Sequence, residues 1–155
     1  MKFSFLSICL VLWGNGLTSF SQEVSVSAPL LIKSNAPGYV PEDYWFEETC
    51  KLYKDRVDIE YRLSGQILKE SRKISGTSVI PKLLQRAQQE KLSETPNLIC
   101  DAPSTSIYGI AKTSAAETKI QLYETGGCGS PKRVRLGGAA FLLTTLIGKY
   151  CSVTH

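Results

Sequence analysis

Histidine is almost missing from this chain: the single imidazole is His155, the last of 155 residues. A Ser-His-Asp or Cys-His site would need that fraying terminus docked in a cleft, and a histidine-based metal site would lack its second imidazole. Cysteines at metal spacing are lacking too. The four beyond Cys9 lie 50, 28 and 23 positions apart, far from the C-x2-C pairs of structural zinc sites. The G-x-x-x-x-G-K-[ST] phosphate loop does not occur, and neither Asn15, Asn35 nor Asn97 begins an Asn-x-Ser/Thr glycosylation site. Apolar runs stay well short of the roughly 20 residues that span a bilayer. These shortages lead us to expect no catalytic triad, no metal, no cofactor and no membrane span in the processed chain.

The first residues say where the chain is expected to work. Lys2 supplies a positive charge, Phe3 to Trp13 is a short apolar stretch, and Gly14, Asn15 and Gly16 break it. This reads as a secretory signal peptide over residues 1–21, with Ser19 and Ser21 placed for a cut before Gln22. An uncut N-terminal anchor is the competing reading. Cleavage would remove Cys9 and leave Cys50, Cys100, Cys128 and Cys151, an even set in a chain bound for the periplasm or the extracellular space. The formal charge of +4 falls to about +3 once Lys2 is lost, which favours solubility and only weakly points to an acidic partner.

Residues 22–45 carry Pro29, Pro37, Gly38 and Pro41 and read as an extended lead-in, a tether or an edge strand. Residues 46–155 are expected to form one disulfide-braced domain. Arg56 to Leu63 alternates cleanly, with Val57, Ile59, Tyr61 and Leu63 on one face and Arg56, Asp58, Glu60 and Arg62 on the other. Ser64-Gly65 turns that strand into a weaker arm, Gln66 to Ile74, which should present Lys69, Arg72 and Lys73 to solvent. Ile80, Leu83, Leu84 and Ala87 recur at helical spacing in a helix expected to end near Leu92. A second hairpin is expected from Ile107 to Ala111 and Thr118 to Tyr123, and a buried helix from Leu136 to Tyr150. The expected fold is therefore α+β: a small antiparallel sheet in the order strand-strand-helix-strand-strand-helix, helices packed on one face, and two disulfides. Extending the second hairpin's register brings Cys100 to Cys128 and leaves Cys50 for Cys151. A loop as long as the Cys50–Cys151 one contributes about 4 to 5 kcal/mol on the chain-entropy account.

Three groups of residues hold the remaining chemistry. Gly126, Gly127 and Gly129, followed by Lys132, Arg133 and Arg135, form a candidate anion or partner contact: successive backbone N–H groups nest an anion and cations hold it. The plainer reading is a glycine turn with solvated cations. Lys51, Lys54, Arg56, Arg62, Lys69, Arg72 and Lys73 are interleaved with Asp55, Asp58, Glu60 and Glu70, so their field largely cancels and nucleic acid is not an expected partner. Tyr44-Trp45-Phe46 reads either as a buried anchor for the lead-in or as an exposed aromatic patch.

From these residues the chain is expected to be an exported non-catalytic binding module, an inhibitor or immunity-type partner of another extracytoplasmic protein. The Gly126 to Arg135 crossing and the polar face of the first hairpin are its candidate surfaces. The alternatives are a small extracytoplasmic hydrolase using Glu47, Glu48 or Asp101 with Arg133, or a structural envelope component tethered through residues 22–45.

Overall fold

The computed structural model describes residues 27–41, 44–97, 102–112, 116–127 and 129–152. They form eight antiparallel strands and two helices: β1 (Leu31–Ala36), β2 (Phe46–Leu52), β3 (Arg56–Leu63), β4 (Gln66–Lys73), α1 (Ile80–Gln89), β5 (Lys91–Thr95), β6 (Ser104–Lys112), β7 (Glu117–Thr125), β8 (Lys132–Leu136) and α2 (Gly138–Cys151). All eight strands belong to one sheet, ordered β4-β3-β2-β1-β6-β7-β8-β5.

This corrects the expected small sheet with two strands before each helix. Each helix is preceded by four strands, and the strand order differs accordingly. The segment read as a lead-in supplies β1, which lies at the centre of the sheet and pairs with β2 on one side and β6 on the other. Pro29, Pro37 and Pro41 bracket β1 without entering it, so its backbone N–H groups stay available to two neighbours. β2 and β8 arise from segments read as connecting chain, and α1 stops at Gln89 to make way for β5. The bounds of β3 agree with the alternation of its side chains. The β3–β4 turn places both Ser64 (φ 47°) and Gly65 (φ 81°) in the left-handed region, which a two-residue hairpin turn of this twist requires.

One face of the sheet is buried. Leu31 of β1, Cys50 and Leu52 of β2, Val57 and Ile59 of β3, and Ile120 and Leu122 of β7 pack beneath Ile80, Leu84 and Ala87 of α1 and Leu143 and Ile147 of α2. Gly109 of β6 is where α1 comes closest, because any Cβ there would overlap the Leu84 side chain. The disulfide between Cys50 and Cys151, with Cα atoms 6.0 Å apart, fastens the end of α2 to the sheet. It is the expected partnership, and the only disulfide among the described residues. Cys100 and Cys128 lie outside them, so the fold is described with one disulfide where two were expected.

Polar contacts join the helix ends to the sheet. Glu90, just past α1, accepts hydrogen bonds from the backbone N–H groups of Ala139 (2.9 Å) and Ala140 (3.0 Å), capping α2 with a carboxylate from outside the helix. Gly137 leaves the space that the Glu90 carboxylate fills. Arg72 faces the helices, contrary to the expectation that it meets solvent. Its guanidinium donates to the carbonyls of Tyr150 (2.9 Å) and Ser152 (3.2 Å) at the end of α2. Among the described residues, no helix is long and apolar enough to cross a membrane.

Candidate functional site

The helices cover one face of the sheet, and strand alternation turns every second residue of the other face toward solvent. On β3 these residues are Arg56, Asp58, Glu60 and Arg62. Register aligns Asp58 with Lys51 of β2 and Ser71 of β4, and Glu60 with Thr49 and Lys69. A shallow groove of about 770 Å³ runs over these strands. A second groove of about 500 Å³ continues over β1, β6 and β7, lined by Ser34, Ser104, Ser106, Glu47, Glu124 and Gly126 among others. Thr49 borders both, which makes them one surface.

The two halves of this surface differ in chemistry. Over β2–β4 the charges pair internally: Arg56 with Asp58 at 3.2 Å, Arg62 with Glu60 at 3.2 Å, and Lys69 with Glu60 at 3.4 Å. The hydrogen bond from Arg62, reinforced by Lys69, holds the Glu60 carboxyl below the usual carboxylate range. Asp58 in turn raises Arg56 through their hydrogen bond. Asp58 also accepts a hydrogen bond from the Ser71 hydroxyl at 2.7 Å. Lys51 and Lys73 have no acidic partner within salt-bridge distance among the described residues. Over β1 and β6 the exposed groups are mostly hydroxyls, and Tyr108 next to them carries the Lys119 ammonium 3.8 Å from its ring centre.

The glycine-rich crossing does not gather its cations around one point. Arg133 is held by Glu94 at 2.7 Å and Glu124 at 3.2 Å, and the hydrogen bond it donates to Glu94 is the main cause of its raised pKa. Arg135 reaches the carbonyl oxygens of Gln121 (2.8 Å), Gln88 (3.3 Å) and Glu90 (2.6 Å), tying β7 to the end of α1. Lys132 lies 5.9 Å from the centre of the Tyr123 ring. Gly126 and Gly127 border the hydroxyl-lined groove, and Gly129 has φ +80°, which explains the glycine there. Two of the three cations are thus occupied by protein groups.

The carboxylates named for hydrolysis do not converge. Glu47 and Glu48 are neighbours on β2 and point to opposite faces, with Glu48 engaged by Lys33 (3.5 Å) and Asn35 (3.1 Å). Asp101 and His155 lie outside the described residues. No group of three or more His, Cys, Asp or Glu among the described residues is arranged to hold a metal ion.

Sequence reasoning missed the breadth of the open face, because β1 and β2 join the first hairpin to the second only in three dimensions. The available signal was the polar alternation of Glu47, Thr49 and Lys51 with Glu48, Cys50 and Leu52. Comparisons with protein families, with characterised proteins and with solved structures find no match to this chain, so the functional argument rests on the fold and on the chemistry of its open face.

Proposed function

We propose that this chain is an exported, non-catalytic binding module, acting as an inhibitor or immunity-type partner of another extracytoplasmic protein that docks on the open face of the sheet. One observation carries the reading. The polar face of the first hairpin and, from the glycine-rich crossing, Gly126 and Gly127 border one continuous face that meets at Thr49. That face is broad and shallow and already neutralises most of its own charge, which suits protein recognition by surface complementarity better than it suits an enclosed small substrate. The Cys50–Cys151 disulfide accords with an oxidising compartment.

Capture from the extracytoplasmic fraction of the exporting organism tests the proposal. The expected result is a protein retained in stoichiometric amount by the chain starting at Gln22, and retained far less by a Lys51→Glu, Thr49→Arg variant whose Tm is unchanged. Absence of any stoichiometric protein, or equal retention by the variant, would overturn it.

A further inference from the structure

β7 and β8 pair only through Tyr123 with Val134 and Glu124 with Arg133, whereas β8 pairs with β5 along its whole length. Beyond Val134 the strands β7 and β8 part. Arg135 spans the gap, donating to the Gln121 carbonyl of β7 on one side and to the Glu90 carbonyl beside β5 on the other. The β6–β7 pairing is irregular at the same place. Register sets Ile107 against Tyr123 and Tyr108 against Gln121, which leaves Leu122 as the extra residue of a bulge and lets Leu122 and Tyr123 border one space together.

The start of α2 lies over this opening without filling it. Gly137, Ala140 and Thr144, which recur at helical spacing on the side toward β7 and β8, are small. The large residue on that side, Phe141, is 68% exposed and stands with Leu136 at the mouth. The result is a pocket of about 560 Å³ whose inner wall is the buried Ile107, Leu122 and Ala140. Sites for small organic molecules run from about 300 to 1,000 Å³ and are lined in this way, mainly by apolar side chains with a few polar groups.

The charge around the pocket is of one sign. Lys132 holds its ammonium 5.9 Å from the centre of the Tyr123 ring, at one end of the pocket, and Arg135 in the wall meets only carbonyl oxygens. Neither has an acidic partner within salt-bridge distance among the described residues. The acids nearby are already engaged: Glu90, beside Gly137, by the N–H groups of Ala139 and Ala140, and Glu94 and Glu124 by Arg133. An apolar body held under α2 therefore brings its head to a cation whose charge is left for a ligand to neutralise.

We propose that this pocket binds a small amphiphile, an apolar chain or ring carrying one anionic head such as a carboxylate, with the body under α2 and the head at the Tyr123 end beside Lys132. The proposal does not depend on the binding-module reading, which concerns the other face of the sheet.

Titration calorimetry of the chain starting at Gln22 with decanoate, and with decanol as the neutral counterpart, provides the test. Decanoate should bind saturably. Lys132→Glu should weaken decanoate at least about fivefold and leave decanol unchanged. Phe141→Ala should weaken both about tenfold, because each loses the apolar contact at the mouth. Both positions are exposed, so the melting curves of the two variants should match that of the parent chain. Absence of saturable decanoate binding would overturn the proposal, as it would if the chain's own residues fill the pocket. Binding that Phe141→Ala leaves intact would place the amphiphile elsewhere and overturn it too. Decanoate binding indifferent to Lys132→Glu would overturn the assignment of an anionic head.

Discussion

On β3, Val57 and Ile59 are each 1% exposed, while Asp58 and Glu60, one residue along, face solvent and pair with arginine and lysine. The same strands thus build two surfaces with different purposes. The helix-covered face is held by packing, a disulfide and helix-end contacts reaching across most of the chain. The open face is held by local pairs that hide little from water. Substitutions on the first should therefore change stability, and substitutions on the second should change binding while leaving stability almost as it is.

Removing the staple on the covered face should have the largest effect. Replacing Cys50 and Cys151 together by alanine opens a link spanning 101 positions and should cost about 4 kcal/mol, read from urea unfolding of the oxidised and double-alanine proteins. Leu84→Ala comes next, at about 3 kcal/mol in the same assay, because the side chain is 1% exposed and packs where β6 offers only Gly109. Glu90→Ala should cost about 1 to 2 kcal/mol by freeing the N–H groups of Ala139 and Ala140, and Glu90→Gln should recover part of that.

The open face provides the contrasting small effects. Lys69→Ala should change stability by less than about 0.5 kcal/mol, since its pair with Glu60 is exposed. Acid should reveal the same pair by its sign. The folded pKa of Glu60 lies below its ordinary value of 4.5, so its contribution is present above that pH and is lost as pH falls through the lowered folded value. Glu60→Gln should therefore lower stability slightly at neutral pH and progressively less as pH falls below about 4.5, which makes the acid limb of its stability curve shallower. A large effect at neutral pH would blur the division between the two faces.

How much of this was legible in the sequence depended on whether a signal was local. β3 was readable because eight residues alternate without interruption. The Cys50–Cys151 pairing follows from matching Cys100 to Cys128 across the second hairpin, which leaves these two; Cys151 does end α2, but Cys50 lies inside β2 rather than at the head of a strand. β1 was hidden because its flanking prolines gave the whole segment the look of a linker, although the strand itself contains none. β5 and β8 were hidden for a different reason. Lys91–Thr95 and Lys132–Leu136 are short and polar, and they become strands by pairing with each other at the sheet edge across some 40 positions. The role of Arg135 depends on that pairing too, since it acts on carbonyls of Gln88, Glu90 and Gln121 that come together only once the edge has formed.

The central claim is that the open face serves recognition and the covered face serves stability. Its most direct test is the affinity of a stoichiometrically captured partner for two variants, measured beside their Tm. Lys51→Glu with Thr49→Arg should lower affinity at least about tenfold at unchanged Tm, whereas Leu84→Ala should lower Tm and leave affinity unchanged below the melting range. The reverse pattern, with binding insensitive to Lys51 and Thr49, would contradict the account.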